Sequence, residues 1–302
     1  MAAAFLGKTS FSPLTKKEED ILAADMCIWL KNTETFVENT TKGLCDFGAI
    51  DDSIKIIMLD GSTNGENIKG AIVQYRHTSF EPREHIILVL RGSGDVAKEI
   101  SEAEKNAEPT VMCLNAVSKR STEYTEVHKG YLRKYRAIQS RIRDVIRRCP
   151  AKSQLIITGY GVSGAVARIA AVDLAYRNRI DPYHTNIPIR LITFNAPQYV
   201  GNKSFNERLD YLITDDVAYA GAWDPVSRIK PINSRFMRSP EETKWVHTDP
   251  RPDALGKTYE TVHSKPPRKT FMWCIPVICG EHEIASEHDI GRMLGHLRVC
   301  SD

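Results

Sequence analysis

A tight turn near the middle of the chain has the residue spacing of a nucleophile site. The apolar run L-I-I-T at 155–158 precedes G-Y-G-V-S-G-A, which predicts a strand, a sharp turn and a helix that begins with small residues. Serine hydrolases hold the nucleophile that attacks an acyl group in such a turn, in the pattern G-x-S-x-G. Here Gly159 is the first glycine, Ser163 replaces the last one, and Gly161 holds the nucleophile position. Glycine has no hydroxyl, so the pattern predicts the site of this chemistry without its nucleophile.

The glycine at position 161 suits the geometry of the turn. A nucleophile at such a bend has a backbone conformation that costs a non-glycine residue about 1–3 kcal/mol. Glycine enters the same region without a Cβ penalty, so we expect the loss of serine to relax the turn. The small residues at 159, 164 and 165 would let strand and helix approach closely. Any tight junction between a strand and a helix could share these features, and this segment alone leaves that alternative open.

Five further segments accompany the turn in a fixed order. They are I-L-V-L-R-G-S at 87–93, V-H-K-G-Y-L at 127–132, T-F-N-A-P-Q-Y-V-G-N at 193–202, W-D-P-V-S-R-I at 223–229 and E-H-D-I at 287–290. With the turn, they resemble the class 3 lipase family of fungi and plants, whose turn usually reads G-H-S-L-G-G-A. The resemblance extends over roughly residues 55–298. It implies an α/β-hydrolase fold and the machinery of a serine hydrolase.

The resemblance also implies roles for five residues. Asp224 would be the acid that orients the base, and His288 would be the general base. Ser93 and the backbone N–H of Val162 would form the oxyanion hole, where donors stabilise developing negative charge. Gly161 would mark the vacated nucleophile position. Structural roles stay open beside these: Asp224 before a proline could begin a turn, His288 could begin a helix, and Ser93 could cap a strand end.

The turn departs from the family pattern at four positions. Gly161 replaces the serine, Tyr160 the usual histidine, Val162 the usual leucine and Ser163 a glycine. An engineered inactive variant would normally change one residue, so several departures favour natural drift. The sequence therefore favours a lipase-like pseudoenzyme that acts as a structural, scaffolding or binding protein. The alternatives are an active triacylglycerol lipase or carboxylesterase in which Gly161 is an inactivating substitution, and a lipid-binding protein.

Ser163 is the other hydroxyl near the turn. It lies two positions beyond Gly161, in the first turn of the predicted helix, where we expect its hydroxyl to cap backbone N–H groups. Misplacing a reactive group by about 1 Å can cost roughly 100-fold in rate. The sequence therefore argues against Ser163 as a replacement nucleophile.

Cysteine and histidine residues near the C-terminus raise the question of a metal. Cys274, Cys279, His282 and His288 are of ligand types that bind zinc, but the gap between the Cys and His pairs is short for a zinc finger. His288 also has a place in the lipase resemblance. We therefore expect no metal and no cofactor. The seven cysteines are odd in number and scattered, which argues against a disulfide framework and favours a reducing compartment.

Length and composition fit one globular domain over residues 1–302. With 42% hydrophobic residues, the chain can bury a large core. A net charge of +3 is slight, and we expect no specific nucleic-acid partner. No run reaches the roughly 18–20 apolar residues of a membrane span, and the N-terminus lacks the basic start of a secretory signal. We expect an intracellular or virion-associated protein with a protein partner or an acyl ligand, and the sequence leaves its oligomeric state open.

The elements that must position the site follow from hydrophobic patterning. Helices are predicted over 16–35 and 132–148, and strands at 54–59, 70–77, 86–90, 154–158, 189–195 and 217–222. This alternation predicts an α/β fold with a mostly parallel central sheet flanked by helices. In such folds the chemistry lies at the carboxyl ends of the strands.

Two insertions are predicted to cover the site. Residues 94–126 match the place of the lid in class 3 lipases, although they are charged and polar from 95 to 110 and offer mainly Val111, Met112 and Leu114 as apolar residues. A lid that opens on lipid should present a larger apolar face. Residues 232–286 form the second insertion, whose apolar block at 271–278 would be core or, at a surface, a docking patch.

Overall fold

A computed structural model describes most of the chain between residues 14 and 263. The described residues are 14–62, 66–77, 84–91, 96–105, 107–114, 124–150, 153–180, 187–213, 215–221, 224–230, 235–238, 242–248, 260–263 and 294. Of the predicted site residues, Gly161, Val162 and Asp224 are described, whereas Ser93 and His288 lie outside these ranges. The Cys/His group at 274–288 and the apolar block at 271–278 also lie outside them.

Strands and helices alternate over most of the described chain. The strands are β1 (Lys55–Asp60), β2 (Lys69–Arg76), β3 (Glu84–Arg91), β4 (Pro109–Cys113), β5 (Tyr124–His128), β6 (Gln154–Tyr160), β7 (Ile189–Phe194), β8 (Tyr199–Gly201), β9 (Asp215–Gly221), β10 (Met237–Arg238), β11 (Glu242–Thr248) and β12 (Glu260–His263). The α-helices are α1 (Lys16–Trp29), α2 (Phe36–Asp46), α3 (Val96–Lys105), α4 (Lys129–Ile146), α5 (Val162–Ile180), α6 (Lys203–Leu212) and α7 (Pro225–Arg228).

A large mixed sheet forms the centre of the molecule. Its strands follow the spatial order β1-β2-β3-β6-β7-β9-β11-β12. The inner strands from β3 to β11 run parallel, while β1, β2 and β12 join antiparallel at the two edges. In β3 the five residues 86–90 are all fully buried, as expected for a strand covered by helices on both faces. The predicted mostly parallel α/β sheet is confirmed.

Helices cover both faces of this sheet. On one face, Leu22 and Met26 of α1 join a buried cluster with Val89 of β3. On the other face, residues of α4 and α5 such as Tyr135 join a cluster with Leu88. Neighbouring residues of β3 thus point into different cores, because side chains alternate along a strand. Among the described residues, no helix is both long enough and apolar enough to cross a membrane.

The first helix is shorter than predicted. The expectation of a helix over 16–35 was wrong at its C-terminal end, because α1 ends at Trp29 and α2 begins at Phe36. The amide of Asn32 bonds the carbonyl of Trp29 in a tighter turn, and the Asn32 side chain accepts from the Glu34 amide at 3.1 Å. Such local bonds from asparagine compete with helix continuation.

Asp173 of α5 ties this helix to α4 behind the sheet. Its carboxylate is 1% exposed and accepts from the Tyr135 hydroxyl at 2.6 Å. Arg143 of α4 donates to the same carboxylate at 2.8 and 2.9 Å, and Arg177 adds a bond at 3.2 Å. Because these donors satisfy the buried charge, α5 has a fixed position relative to the strands whose ends surround Gly161.

A smaller sheet lies beside the main one, in the order β10-β8-β5-β4. The predicted lid segment contributes α3 and β4 to the described structure. Met112 and Leu114 are buried in the core, whereas Val111 is 45% exposed. The few apolar residues of this segment therefore stabilise the fold more than they provide an exposed apolar face.

Candidate active site

Gly161 forms the turn between β6 and α5. Its φ is +59°, in the left-handed region that favours glycine, as the sequence predicted. Its amide donates to the carbonyl of Phe194 at 2.9 Å, which links the end of β6 to the end of β7. A Cβ on Gly159 would lie 2.6 Å from the carbonyl oxygen of Ser163, so glycine at 159 allows the close approach of strand and helix.

The Ser163 hydroxyl has a different partner from the one predicted. It donates to the carbonyl oxygen of Arg91, at the end of β3, and the residue is 4% exposed. The prediction that it would cap backbone N–H groups of the helix was wrong, because the side chain points to the neighbouring strand. This bond fixes the start of α5 to β3.

Tyr160 also lies in a structural position. It is 3% exposed and belongs to the core on the α1 side of the sheet, where the Nζ of Lys31 lies 5.2 Å from its ring centroid. This departure from the lipase pattern therefore changes the packing behind the turn.

Asp224 follows β9 at the same edge of the sheet. It is fully buried, and its carboxylate accepts from the amides of Val226 at 3.2 Å and Ser227 at 2.8 Å. The Ser227 hydroxyl donates to the Asp224 carbonyl at 3.1 Å. Asp224 is thus the N-cap of α7, which is the turn-forming role that the sequence left open beside the catalytic one.

Asn195 is a site residue that the sequence analysis missed. It is fully buried with a φ of +47°, a conformation that asparagine tolerates better than most side chains. Its side-chain oxygen accepts from the Gly221 amide at 2.7 Å, and its own amide donates to Tyr219 at 2.7 Å. It therefore joins the end of β7 to the end of β9, just before Asp224.

Glu99 of α3 reaches the turn from the predicted lid segment. It is fully buried, and its Oε2 accepts from the amide of Val162 at 2.8 Å. A Cβ built on Gly161 would overlap this oxygen and lie 2.6 Å from the carboxyl carbon, where real Cβ contacts are longer than 3.0 Å. The carboxylate thus takes up the space where a side chain at 161 would begin.

Comparison with known proteins supports the resemblance to class 3 lipases. Residues 87–234 match the family model described as Lipase (class 3). This segment, about half of the chain, is identified with the class 3 lipase family, as the sequence resemblance implied. No curated protein sequence matches the chain.

Several solved lipase structures share the fold. They include the native Rhizomucor miehei lipase propeptide complex, at 19% identity and a TM-score of 0.54, with coverage of 87% of this chain and 81% of that one. The Rhizomucor miehei triacylglyceride lipase is 20% identical with a TM-score of 0.52, over 84% of this chain and 87% of that one. A lipase from Rhizopus microsporus var. chinensis is 17% identical with a TM-score of 0.50, over 85% and 83%. At these identities the likeness establishes the α/β-hydrolase fold.

In this lipase fold, the amide of Val162 is the described donor of the expected oxyanion hole. It begins α5, a helix of 19 residues, so the partial positive charge of the helix N-terminus adds to the hydrogen bond. The structure shows this donor bound to the Glu99 carboxylate. The turn therefore brings a buried carboxyl group to the donor that the resemblance assigns to the oxyanion hole.

Two of the described cysteines, Cys27 and Cys149, are buried and do not offer thiolate nucleophiles. Burial raises the pKa of the Cys27 thiol to about 12 and that of Cys149 to about 11, so both are protonated at neutral pH. Within the described ranges, no three His, Cys, Asp or Glu side chains are grouped as metal ligands.

His128 holds the far end of α3. Its Nδ1 accepts from the Tyr131 amide at 3.4 Å, so its Nε2 carries the proton and donates to the carbonyl of Ala103 at 2.8 Å. The imidazole is fully buried and stacks on the Tyr131 ring, with centroids 3.8 Å apart. This residue belongs to the V-H-K-G-Y segment of the resemblance, and the structure shows that it binds the lid segment.

We expect stability to depend on pH through His128. Burial lowers the pKa of the folded-state imidazole, so the folded state resists protonation. The contribution of His128 is present above the ordinary histidine pKa and is lost as the pH falls through it, because the unfolded chain then takes up the proton. At pH 7.5, His128→Asn should lower the free energy of unfolding by about 1–3 kcal/mol. Urea unfolding between pH 7.5 and 5 should show a steeper decline for the wild type, and parallel profiles would contradict the assignment.

Proposed function

We propose that this protein is a lipase-like pseudoenzyme, a class 3 lipase scaffold that acts as a structural, scaffolding or binding protein. The observation that carries the proposal is the turn at Gly161. The position has no hydroxyl, and the Glu99 carboxylate fills the space in which a serine side chain would start. Serine-dependent acyl transfer requires both the hydroxyl and an oxyanion site that is open to substrate.

The surroundings of Ser163 support the same proposal. Its hydroxyl is buried and donates to the Arg91 carbonyl. A nucleophile must instead give its proton to a general base and face the substrate. Ser163 would have to break the link between α5 and β3 before it could react.

The proposal also accounts for the presence of Asp224. In a lipase, we would expect Asp224 to orient His288, and both residues are retained here. The two amide bonds from α7 give the Asp224 carboxylate a structural role that does not depend on catalysis. Loss of a helix N-cap costs about 1 kcal/mol even at exposed positions. An aspartate can therefore persist at this position after the reaction has been lost.

The test combines covalent labelling with turnover. The purified protein is incubated with a fluorophosphonate probe and, separately, with a short-chain nitrophenyl ester, while intact mass and hydrolysis are followed. We expect no adduct and no hydrolysis above background. An active lipase serves as the positive control, and Ser163→Ala identifies any signal that depends on Ser163. A single stoichiometric adduct with turnover would overturn the proposal in favour of a lipase or carboxylesterase.

A further inference from the structure

Glu99 links the lid segment to the vacated nucleophile turn. We propose that Glu99 acts as an internal ligand of this turn. Its carboxylate takes the place of the missing serine side chain and accepts a hydrogen bond from the Val162 amide. It thereby holds α3 over the site. The inference deepens the proposed function and rests on it, because a self-occupied turn presupposes that no nucleophile works there. According to this inference, a side chain of the protein itself occupies the former nucleophile site.

The first argument is the burial of the charge. Glu99 is fully buried, and an ionised carboxylate away from water costs several kcal/mol unless hydrogen bonds replace its hydration. The Val162 amide at 2.8 Å is one such bond, and the N-terminus of α5 adds a favourable dipole. In return, Glu99 satisfies a backbone donor of the first turn, which has no partner within the helix.

The second argument is the use of space. A Cβ at 161 and the carboxylate of Glu99 exclude each other, because the carboxyl carbon would lie 2.6 Å from that Cβ. A serine at 161 therefore requires that the Glu99 carboxylate move from its present position. Gly161 and the buried Glu99 are therefore coupled: the lid segment supplies the carboxylate that fills the space beside Gly161.

The third argument is the way α3 is held. Glu99 and Ala103 are four residues apart, so they lie on the same face of the helix. Both are buried, and the Ala103 carbonyl accepts from His128 at 2.8 Å. Lys98 and Glu104 of the same helix are exposed. The buried face of α3 is thus fixed at two points, one on the turn and one on the start of α4.

The experiment asks whether a small carboxylate can replace the Glu99 side chain. Glu99→Ala leaves a space next to the Val162 amide, and sodium formate is the probe that fits it, with sodium chloride at the same ionic strength as the control. Glu104→Ala is the matched variant, because it removes an exposed acid from the same helix. Thermal unfolding and the hydrogen exchange of the Val162 amide are measured for each protein.

We expect the unfolding midpoint of Glu99→Ala to fall by about 2–5 °C, which corresponds to the loss of a buried charged hydrogen bond in a chain of this length. Formate should raise this midpoint saturably and restore protection of the Val162 amide. The wild type and Glu104→Ala should not respond. If Glu99→Ala fails to fold, Glu99→Gln keeps the shape and an acceptor for Val162, and should show a smaller loss without rescue.

Two results would overturn the inference. One is a Glu99→Ala protein with wild-type stability and a protected Val162 amide. The other is a response to formate that is equal in all the proteins. Neither outcome depends on covalent labelling, so these results test the role of Glu99 separately from the pseudoenzyme proposal. Only an adduct or turnover in the wild type would contradict the pseudoenzyme proposal.

Discussion

A serine placed at position 161 is expected to destabilise the protein without producing a hydrolase. The new Cβ would overlap the Glu99 carboxylate and would adopt a φ of +59°. The backbone strain costs about 1–3 kcal/mol, and breaking the hydrogen bond that the Val162 amide donates to Glu99 costs a similar amount. Gly161→Ser should therefore lower the free energy of unfolding by about 2–6 kcal/mol, as measured by urea unfolding.

A double-mutant cycle separates the overlap from the backbone strain. Gly161→Ala and Glu99→Ala together should cost about 1–3 kcal/mol less than the sum of the two single changes, because Glu99→Ala removes the overlapping atoms. Gly48→Ala is the control, since Gly48 also has a positive φ, of +87°, in the turn after α2. It should be additive with Glu99→Ala. If the effects of Gly161→Ala and Glu99→Ala were additive, the two residues would not be coupled.

The same logic predicts which variant could be labelled. With Glu99 in place, a serine at 161 faces an occupied Val162 donor. Any fluorophosphonate adduct is therefore expected in the double variant Gly161→Ser/Glu99→Ala and not in Gly161→Ser. An adduct of equal yield in the single variant would mean that Glu99 moves aside readily.

The sequence could predict the turn but not its occupant. Gly161 follows a buried strand and precedes small residues, so local patterning and the lipase resemblance located it. Glu99 lies 63 positions from Val162, and only the folding of α3 against the sheet brings the two together. Glu102, Glu104 and Glu108 are acids in the same insertion, and nothing local in the sequence distinguishes Glu99 from them.

A similar division holds for the fold. The inner strands were predictable because burial on both faces requires nearly continuous apolar runs, such as residues 86–90 of β3. The smaller sheet was missed because β8 has three residues and β10 has two, too few to show a period. The Ser163 hydroxyl was misjudged because its acceptor, Arg91, lies on a neighbouring strand.

The second large effect is expected at Arg190, which anchors α1 to the start of β7. Its side chain is 5% exposed and forms ion pairs with Glu19 and with Asp20, the latter at 2.8 Å. It also donates to the Lys16 carbonyl at 2.9 Å. The two carboxylates are nearly as buried, at 8% and 7% exposed. Arg190→Met would leave both without their cation, and removal of one partner from a buried pair costs about 3–5 kcal/mol.

The loss at Arg190 should depend on pH in a defined direction. Burial raises the pKa of Glu19 and of Asp20, while Arg190 opposes the rise. A raised carboxyl pKa gives stability that is fully present below the unfolded-state pKa and is lost as the pH rises through the folded-state pKa. Without Arg190 the pKa values of both carboxyl groups rise further, so the stability that is lost between acidic and neutral pH becomes larger. The difference in unfolding free energy between wild type and Arg190→Met should therefore be largest at neutral pH and shrink toward pH 4.

Lys16→Met provides the matched control, because it removes an exposed cation from the same cluster. Lys16 pairs with Asp215 at 2.9 Å, but its side chain is 76% exposed, and such pairs contribute about 0–1 kcal/mol. Urea unfolding of the wild type and the two variants at pH 7.5 and pH 4.5 distinguishes the cases. If Arg190→Met lost no more than Lys16→Met, or lost the same amount at both pH values, the buried carboxylates would not depend on Arg190. The expected result would show that buried ion pairs, as well as apolar packing, hold α1 against the sheet. This helix covers one face of the sheet, and Gly161 follows one of its central strands.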